Sequence, residues 1–126
     1  MQITNHELAE EYCVDQASCI SDINHTLPDI LGSYIIMKWM EATCAKNIAR
    51  YLDNDFMTVG KEFCIDHVGM AKKGDDVKII SSIIELEKRS ILFCVEAIGS
   101  SGKIIATATH KRSIIPKKLI PKLLSQ

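Results

Sequence analysis

The stretch that most constrains the fold is residues 31–52, because it is the only long run with helical character and it is almost entirely apolar. Gly32 and Ser33 can begin a helix here, and serine is a preferred N-cap residue. The polar residues 53–55 can end it. We expect the rest of the chain to be organised around this helix.

Glu41 is the polar residue of this helix that departs from the general pattern. At about 100° per residue, the other polar side chains share one arc: Lys38, Lys46, Asn47 and Arg50. Glu41 projects instead among apolar residues within about 40° of it: Tyr34, Met37, Ala45, Ile48 and Leu52. Since a carboxylate in an apolar stripe is costly without a partner, Glu41 is a candidate site residue. A rim position with Lys38 as a weak surface partner is an equally open interpretation.

The chain after the helix is rich in β-forming residues, interrupted by short polar turns. This pattern predicts four strands in antiparallel hairpins, at residues 56–68, 77–86, 91–98 and 103–115. Pro116 stops the last strand, and residues 116–126 form a basic amphipathic tail. One apolar helix against one antiparallel sheet is an α+β arrangement, with the concave face of the sheet around the helix.

The segment before the helix gives weaker signals. Residues 1–10 are polar and are expected to fray, residues 11–20 alternate loosely and suggest a weak strand, and residues 22–29 form a loop. With 126 residues, the chain suits a single domain that can bury a hydrophobic core without disulfides or structural metal ions.

Composition excludes several classes of function. The chain has 15 Lys plus Arg and 16 Asp plus Glu, so it lacks the excess of positive charge that is typical of nucleic-acid-binding proteins. The apolar runs are too short to span a membrane, and the N-terminus lacks a signal peptide, so we expect a cytoplasmic protein. Five cysteines without a CxxC pair argue against a disulfide framework or a zinc site. We assign no metal, because no cluster has ligand spacing.

Four local motifs follow one another along the chain. They are Ser33 eight positions before Glu41, Thr58-Val59-Gly60 with His67 seven positions after the glycine, Gly74 before a long strand, and Thr109-His110-Lys111-Arg112 in the last strand. In this order and spacing, residues 10–115 resemble the fluoroacetyl-CoA thioesterase-like family of hotdog proteins. The resemblance implies the hotdog fold, in which a curved antiparallel sheet wraps one long central helix.

The resemblance also implies a chemistry. In that family a threonine, a glutamate and a histidine act on a thioester, and a glycine N–H lies near its carbonyl. The corresponding positions here are Ser33, Glu41, His67 and Gly60, with serine in place of threonine. The substrate would be an acyl-CoA, with coenzyme A as part of the substrate and no other cofactor, and the protein would be a homodimer. Residues 24–30 lack the aromatic residues that accompany fluoroacetyl selectivity, so we do not expect that substrate.

The residues themselves leave alternatives open. Glu41 could be a general base on water or a direct nucleophile. His67 could be a half-buried histidine on a sheet, Ser33 a plain N-cap and Gly60 a bulge. His110 is expected to be a packing residue.

The last motif and the turns also supply basic residues. We expect Lys111 and Arg112 to bind the substrate through the phosphates of coenzyme A, and four more lysines could join them: Lys72, Lys73, Lys117 and Lys118. A solvated strand edge is the alternative. Two functions therefore remain, an acyl-CoA thioesterase for small or medium acyl groups and a non-catalytic acyl-CoA or small-ligand binding module.

Overall fold

The computed structural model describes residues 1–126 as one five-stranded sheet and one long helix. The elements are β1 (Glu7–Cys13), α1 (Ser33–Ala49), β2 (Phe56–His67), β3 (Asp76–Leu86), β4 (Ser90–Ile98), β5 (Ile104–Pro116) and α2 (Ile120–Leu124). The strand order is β1-β3-β4-β5-β2, and every neighbouring pair is antiparallel. The predicted α+β arrangement is therefore confirmed, with β1 and β2 as the two edges of the sheet. Strands β3, β4 and β5 form the predicted hairpins. The predicted hairpin between β2 and β3 is wrong, because β2 pairs with β5 instead.

The first strand lies earlier than the sequence suggested. It spans residues 7–13 and pairs with β3 from Glu7 opposite Ser82 to Cys13 opposite Asp76, so residues 7–10 do not fray. The alternation was hidden because Glu10 is on the half-buried side, where its carboxylate lies 3.3 Å from Lys46 Nζ of α1. The predicted strand over 11–20 is wrong beyond Cys13. There the chain enters two 3₁₀ turns, which give way to the predicted loop.

Helix α1 packs on the sheet through one face. The buried residues recur three and four positions apart, as expected for a helix stripe: Ile36, Trp39, Met40, Thr43, Cys44, Asn47 and Ile48. The opposite face carries Tyr34, Met37 and Glu41, all of which are exposed in the single chain. The helix is thus apolar on two sides, of which the sheet covers one. Neither α1 nor α2 has the length and apolar character that crossing a membrane requires.

Asn47 lies in the core, and its predicted place on the exposed polar arc is wrong. Its Nδ2 donates to the backbone oxygens of His6 and Ser81 and to Ser81 Oγ, at 3.1–3.2 Å. Its Oδ1 accepts from Arg50 Nη2 at 2.6 Å. These bonds satisfy a fully buried amide and connect α1 to β3 and to the residue before β1.

We predict that Asn47→Asp destabilises the fold by about 3 kcal/mol or more, because a carboxylate cannot donate to the three acceptors that Nδ2 now serves. Asn47→Ala should cost about 2 kcal/mol through the unpaired groups it leaves. Urea denaturation followed by circular dichroism measures both.

The neighbouring Lys46→Ala is the matched control, since it removes only a surface ion pair and should cost less than about 1 kcal/mol. Equal losses in Asn47→Asp and Lys46→Ala would contradict the structural role of the amide.

Candidate active site

Glu41 sits midway along α1, where its Oε1 lies 3.7 Å from Nη1 of Arg112 on β5. The Glu41 side chain is 47% exposed, whereas that of Arg112 is only 6% exposed. The alternative with Lys38 as the partner is wrong, because the two ion pairs of the molecule are this one and Lys46–Glu10. The carboxylate of Glu41 is therefore held at the surface by a cation that comes from the core.

The Arg112 guanidinium is fixed by further contacts. Its Nε donates to Thr58 Oγ1 at 2.9 Å, its Nη2 to the Thr58 carbonyl at 3.1 Å, and its Nη1 lies 3.1 Å from His110 Nε2. Burial lowers the pKa of Arg112 and the charge of Glu41 opposes that shift, but an arginine in a protein stays protonated. The result is a buried, immobile positive charge directed at Glu41.

His110 orients this cation from the core side. Its Nδ1 lies 2.9 Å from the Glu62 carbonyl, which can only accept, so Nδ1 carries the proton and Nε2 accepts from Arg112. Burial is the main cause that lowers the pKa of His110, which favours this neutral form. The ring packs against Phe63 and Phe93, in agreement with the expected packing role.

Gly60 lies on β2 beside the same group. A Cβ atom at this position would stand 3.4 Å from Glu41 Oε1 and 3.4 Å from His110 Cε1. The pairing with β5 shifts register between Gly60 and Glu62, so the glycine is also at a bulge, as the alternative interpretation expected. Without a side chain at this position, the carboxylate faces strand backbone.

Ser33 and His67 form a second group at the N-terminal end of α1. Ser33 Oγ lies 2.6 Å from His67 Nδ1, and His67 Nε2 is buried without a hydrogen-bond partner. Gly32 rather than Ser33 is the N-cap, so the predicted capping role is wrong and the hydroxyl is available to the imidazole. Eight residues of helix separate Ser33 from Glu41, a rise of about 12 Å. One chain thus holds the three predicted catalytic residues as a Ser33–His67 pair and a separate Glu41.

A cavity of about 500 Å³ opens beside Glu41, on the exposed face of α1. Its walls are mostly apolar and include the Glu41–Arg112 pair. The lining residues are Tyr34, Met37, Lys38, Glu41, Ala42, Ala45 and Arg112. This size and mixture are typical of a small-molecule site. Cys44 is on the buried face of α1, where burial raises the pKa of its thiol to about 11, so it is not an activated nucleophile.

The basic residues assigned to the phosphates of coenzyme A are dispersed. Arg112 is 5% exposed and engaged as described, so the geometry does not support that assignment. Lys111 is on the opposite face of β5, and Lys72 and Lys73 lie in the turn before β3. The contributions of Thr58 and His110 to the site were missed. The available signal was a polar pair, His110 and Arg112, at the inward positions of an alternating strand.

Comparisons with known proteins agree with this architecture. Residues 14–118 match the family described as fluoroacetyl-CoA-specific thioesterase. No curated protein matches the chain. Among solved structures, a thioesterase superfamily member from Thermus thermophilus is 20% identical, with a TM-score of 0.90 over 98% of this chain and 92% of that one.

Two further structures show the same fold. The fluoroacetyl-CoA thioesterase FlK is 19% identical, with a TM-score of 0.86 over 100% of this chain and 97% of that one. A hot-dog-like protein from Thermanaerovibrio acidaminovorans is 17% identical, with a TM-score of 0.87 over 95% of this chain and 88% of that one. The predicted hotdog fold is confirmed. Since the family match covers most of its length, the chain belongs to the fluoroacetyl-CoA-specific thioesterase family.

Proposed function

We propose that this protein is an acyl-CoA thioesterase that hydrolyses a small or medium acyl thioester, with Glu41 as the reacting carboxylate. The observation that carries the proposal is the position of Glu41 between a buried cation, Arg112, and the bare backbone at Gly60, at the mouth of a largely apolar cavity. Membership of a thioesterase family supports the reaction class.

The chemistry follows from a thioester carbonyl placed against the backbone of Gly60. As a general base, Glu41 takes a proton from water while the water oxygen bonds to the carbonyl carbon. The carbon–sulfur bond then breaks, and the departing thiolate takes up the proton. As a nucleophile, Glu41 first forms an anhydride with the acyl group and releases the thiolate, and water then cleaves the anhydride. Both routes use the carboxylate oxygens of Glu41, one of which lies 3.7 Å from Nη1 of Arg112.

The proposed substrate is limited by what the site can hold. A cavity of about 500 Å³ fits a small or medium acyl group and the adjoining end of the carrier. Coenzyme A is the carrier in this proposal, and no separate cofactor is invoked. A threonine-to-serine variant of FlK has been described with acetyl-CoA, which is consistent with a serine-containing site that binds a CoA ester. All five cysteines are free thiols, in keeping with a cytoplasmic location.

We further propose that the reaction centre is completed by a second copy of the chain. Within one chain α1 runs antiparallel to β2, since Ser33 contacts His67 while Glu41 lies beside Gly60. A two-fold axis that places Glu41 of one subunit beside Ser33 of the partner subunit must pass near Met37, the residue midway between positions 41 and 33. To place Gly60 of one subunit near His67 of the partner subunit, the axis must pass between residues 63 and 64 of β2.

The surfaces next to that axis are suited to pairing. β2 is an edge strand of twelve residues, so it offers a long row of unpaired backbone groups to another strand. Tyr34 and Met37 on α1 are 43% and 39% exposed and would be covered. A homodimer of this kind would bring the Ser33–His67 pair of one subunit to Glu41 of the other.

We predict that Glu41→Gln lowers kcat by about 10²–10⁴-fold, because the amide cannot accept the proton or attack the carbonyl. Binding of a non-hydrolysable CoA ester should be retained. Release of free thiol from a panel of short and medium acyl-CoA esters measures turnover, and calorimetry measures binding.

Glu96→Gln is the matched control, since it removes an exposed carboxylate on β4 and should leave turnover unchanged. A folded wild-type protein that binds CoA esters without hydrolysing any of them would favour the non-catalytic binding module instead.

A second prediction concerns the two subunits. Glu41→Gln and His67→Ala should each be inactive as homodimers, whereas a mixture allowed to exchange subunits should recover about a quarter of the wild-type activity. Half of the dimers are then mixed, and each mixed dimer has one intact centre. Ser33→Ala mixed with Glu41→Gln should recover in the same way. Two variants that stay inactive after verified exchange would mean that the residues act within one chain.

A third prediction separates the two roles considered for Arg112. Arg112→Lys keeps the charge but loses the planar fork that contacts Thr58, His110 and Glu41, so kcat should fall about tenfold or more with KM for acyl-CoA unchanged. Steady-state kinetics, with thermal unfolding to check the fold, measures this. A rise in KM at constant kcat would instead support contact with the phosphates of the substrate.

A further inference from the structure

A second groove lies at the opposite end of β2 from His67. It has a volume of about 480 Å³ and an apolar floor formed by Phe56, Ile114, Leu119 and Leu123, with Lys88 and Arg89 at its rim. Phe56 is 40% exposed, so its ring is available to a ligand. None of these residues belongs to the site described above.

The basic side chains around this groove have no acidic partners. Lys117 and Lys118 line an adjoining cavity of about 420 Å³, which shares Phe56 with the groove and also contains Asp55. Together with Lys88 and Arg89 they make four exposed cations. Neither of the two ion pairs in the molecule involves any of them. An exposed aromatic ring beside four free cations is suited to a ligand that joins a planar base to several phosphates.

The distribution of charge along the chain favours an anionic ligand here. All 16 acidic residues lie between Glu7 and Glu96, whereas the last 30 residues contain six lysines and arginines and no carboxylate side chain. The net charge of −1 therefore conceals a positive C-terminal region. Lys117 and Lys118 place part of that excess at the groove.

The groove and the proposed reaction centre lie along the same pair of strands, β2 and β5. Phe56, Thr58 and Gly60 alternate on one face of β2, and their partners on β5 run from Pro116 opposite Phe56 to Arg112 opposite Gly60. Four residues of strand separate Phe56 from Gly60, a distance of about 13 Å. The flexible pantetheine arm of coenzyme A, which separates the thioester from the nucleotide, is long enough to cover it.

We propose that this groove binds the nucleotide end of coenzyme A, with the adenine against Phe56 and the phosphates among Lys88, Arg89, Lys117 and Lys118. This inference rests on the proposed thioesterase function for the position of the thioester. Of the basic residues that the sequence offered for the phosphates, it keeps Lys117 and Lys118, and it replaces Lys111 and Arg112 with Lys88 and Arg89.

Binding of adenosine 3′,5′-bisphosphate, which has the base and phosphates but no thioester, tests the groove independently of turnover. We expect the double variants Lys88→Gln/Arg89→Gln and Lys117→Gln/Lys118→Gln each to weaken this binding by about tenfold or more at low salt. The control Lys78→Gln/Lys103→Gln removes the same charge from exposed positions elsewhere and should bind as the wild type does. Equal weakening in all three variants would reduce the effect to net charge and overturn the proposal.

Turnover of two substrates with the same acyl group supplies the second readout. For the acyl-CoA ester, the groove variants should raise KM about tenfold with kcat unchanged. For the N-acetylcysteamine thioester, which lacks the nucleotide, kcat/KM should not change. Hydrolysis of both esters with no effect of the groove variants on either would overturn the groove while leaving the thioesterase function intact.

The converse outcome is also distinguishable. The wild type could hydrolyse neither ester but still bind adenosine bisphosphate in a way that depends on the four cations. This result would support the nucleotide site in the groove and contradict the thioesterase function. If the groove variants lose binding to phosphatidylglycerol vesicles but keep wild-type affinity for adenosine bisphosphate, the patch is a lipid contact and the proposal is overturned.

Discussion

The burial of the Arg112 cation is the constraint on which the rest of this structure depends. Moving a guanidinium into a core is costly unless nearly every donor finds an acceptor. Here Thr58 supplies two acceptors, His110 supplies one, and Glu41 supplies the opposite charge. The groups that make this burial tolerable come from β2, β5 and α1, so the candidate site and the packing of the helix on the sheet use the same atoms.

Helix α1 has two apolar faces, which serve different surfaces of the molecule. One face buries Ile36, Met40 and Ile48 in the core against the sheet. The other face is free to surround Glu41 with Tyr34 and Met37, which serve a cavity rather than the core. Apolar content along the helix therefore reports two separate surfaces, and it cannot by itself distinguish a residue in the core from a residue in a binding site.

Much of the fold could be predicted from the sequence, because β3, β4 and β5 are joined by short turns and their alternation is local. The place of β2 beside β5 could not, since this pairing joins strands that are far apart in the sequence. The first strand could not, since its inward side contains Glu10, whose placement depends on Lys46 of a distant helix. The prediction for Asn47 was wrong for the same reason. Its amide can be buried only because Ser81 and the chain before β1 provide hydrogen-bond acceptors.

The residues of the candidate site could be predicted from the sequence, but their positions relative to one another could not. Glu41, Gly60, Ser33 and His67 occur at recognisable spacings, but no spacing along one chain indicates that they separate into two groups. Gly32 is the N-cap, and the hydroxyl of Ser33 is bonded instead to His67, a residue 34 positions away that no local pattern identifies. Arg112 was taken for a surface ligand because a lone arginine in a strand is usually exposed, and only the neighbouring positions on β2 reveal its partners.

The neutral form of His110 has a consequence for tolerance of acid. A histidine whose pKa is lowered by burial binds fewer protons in the folded chain than in the unfolded one. The free energy of unfolding therefore declines as the pH falls from about 6.5, the ordinary histidine value, toward the lower value in the folded chain. An imidazolium at this position would face the Arg112 guanidinium with no oxygen between them. Mild acid would therefore weaken the same hydrogen bond between His110 and Arg112 that helps to hold the guanidinium beside Glu41.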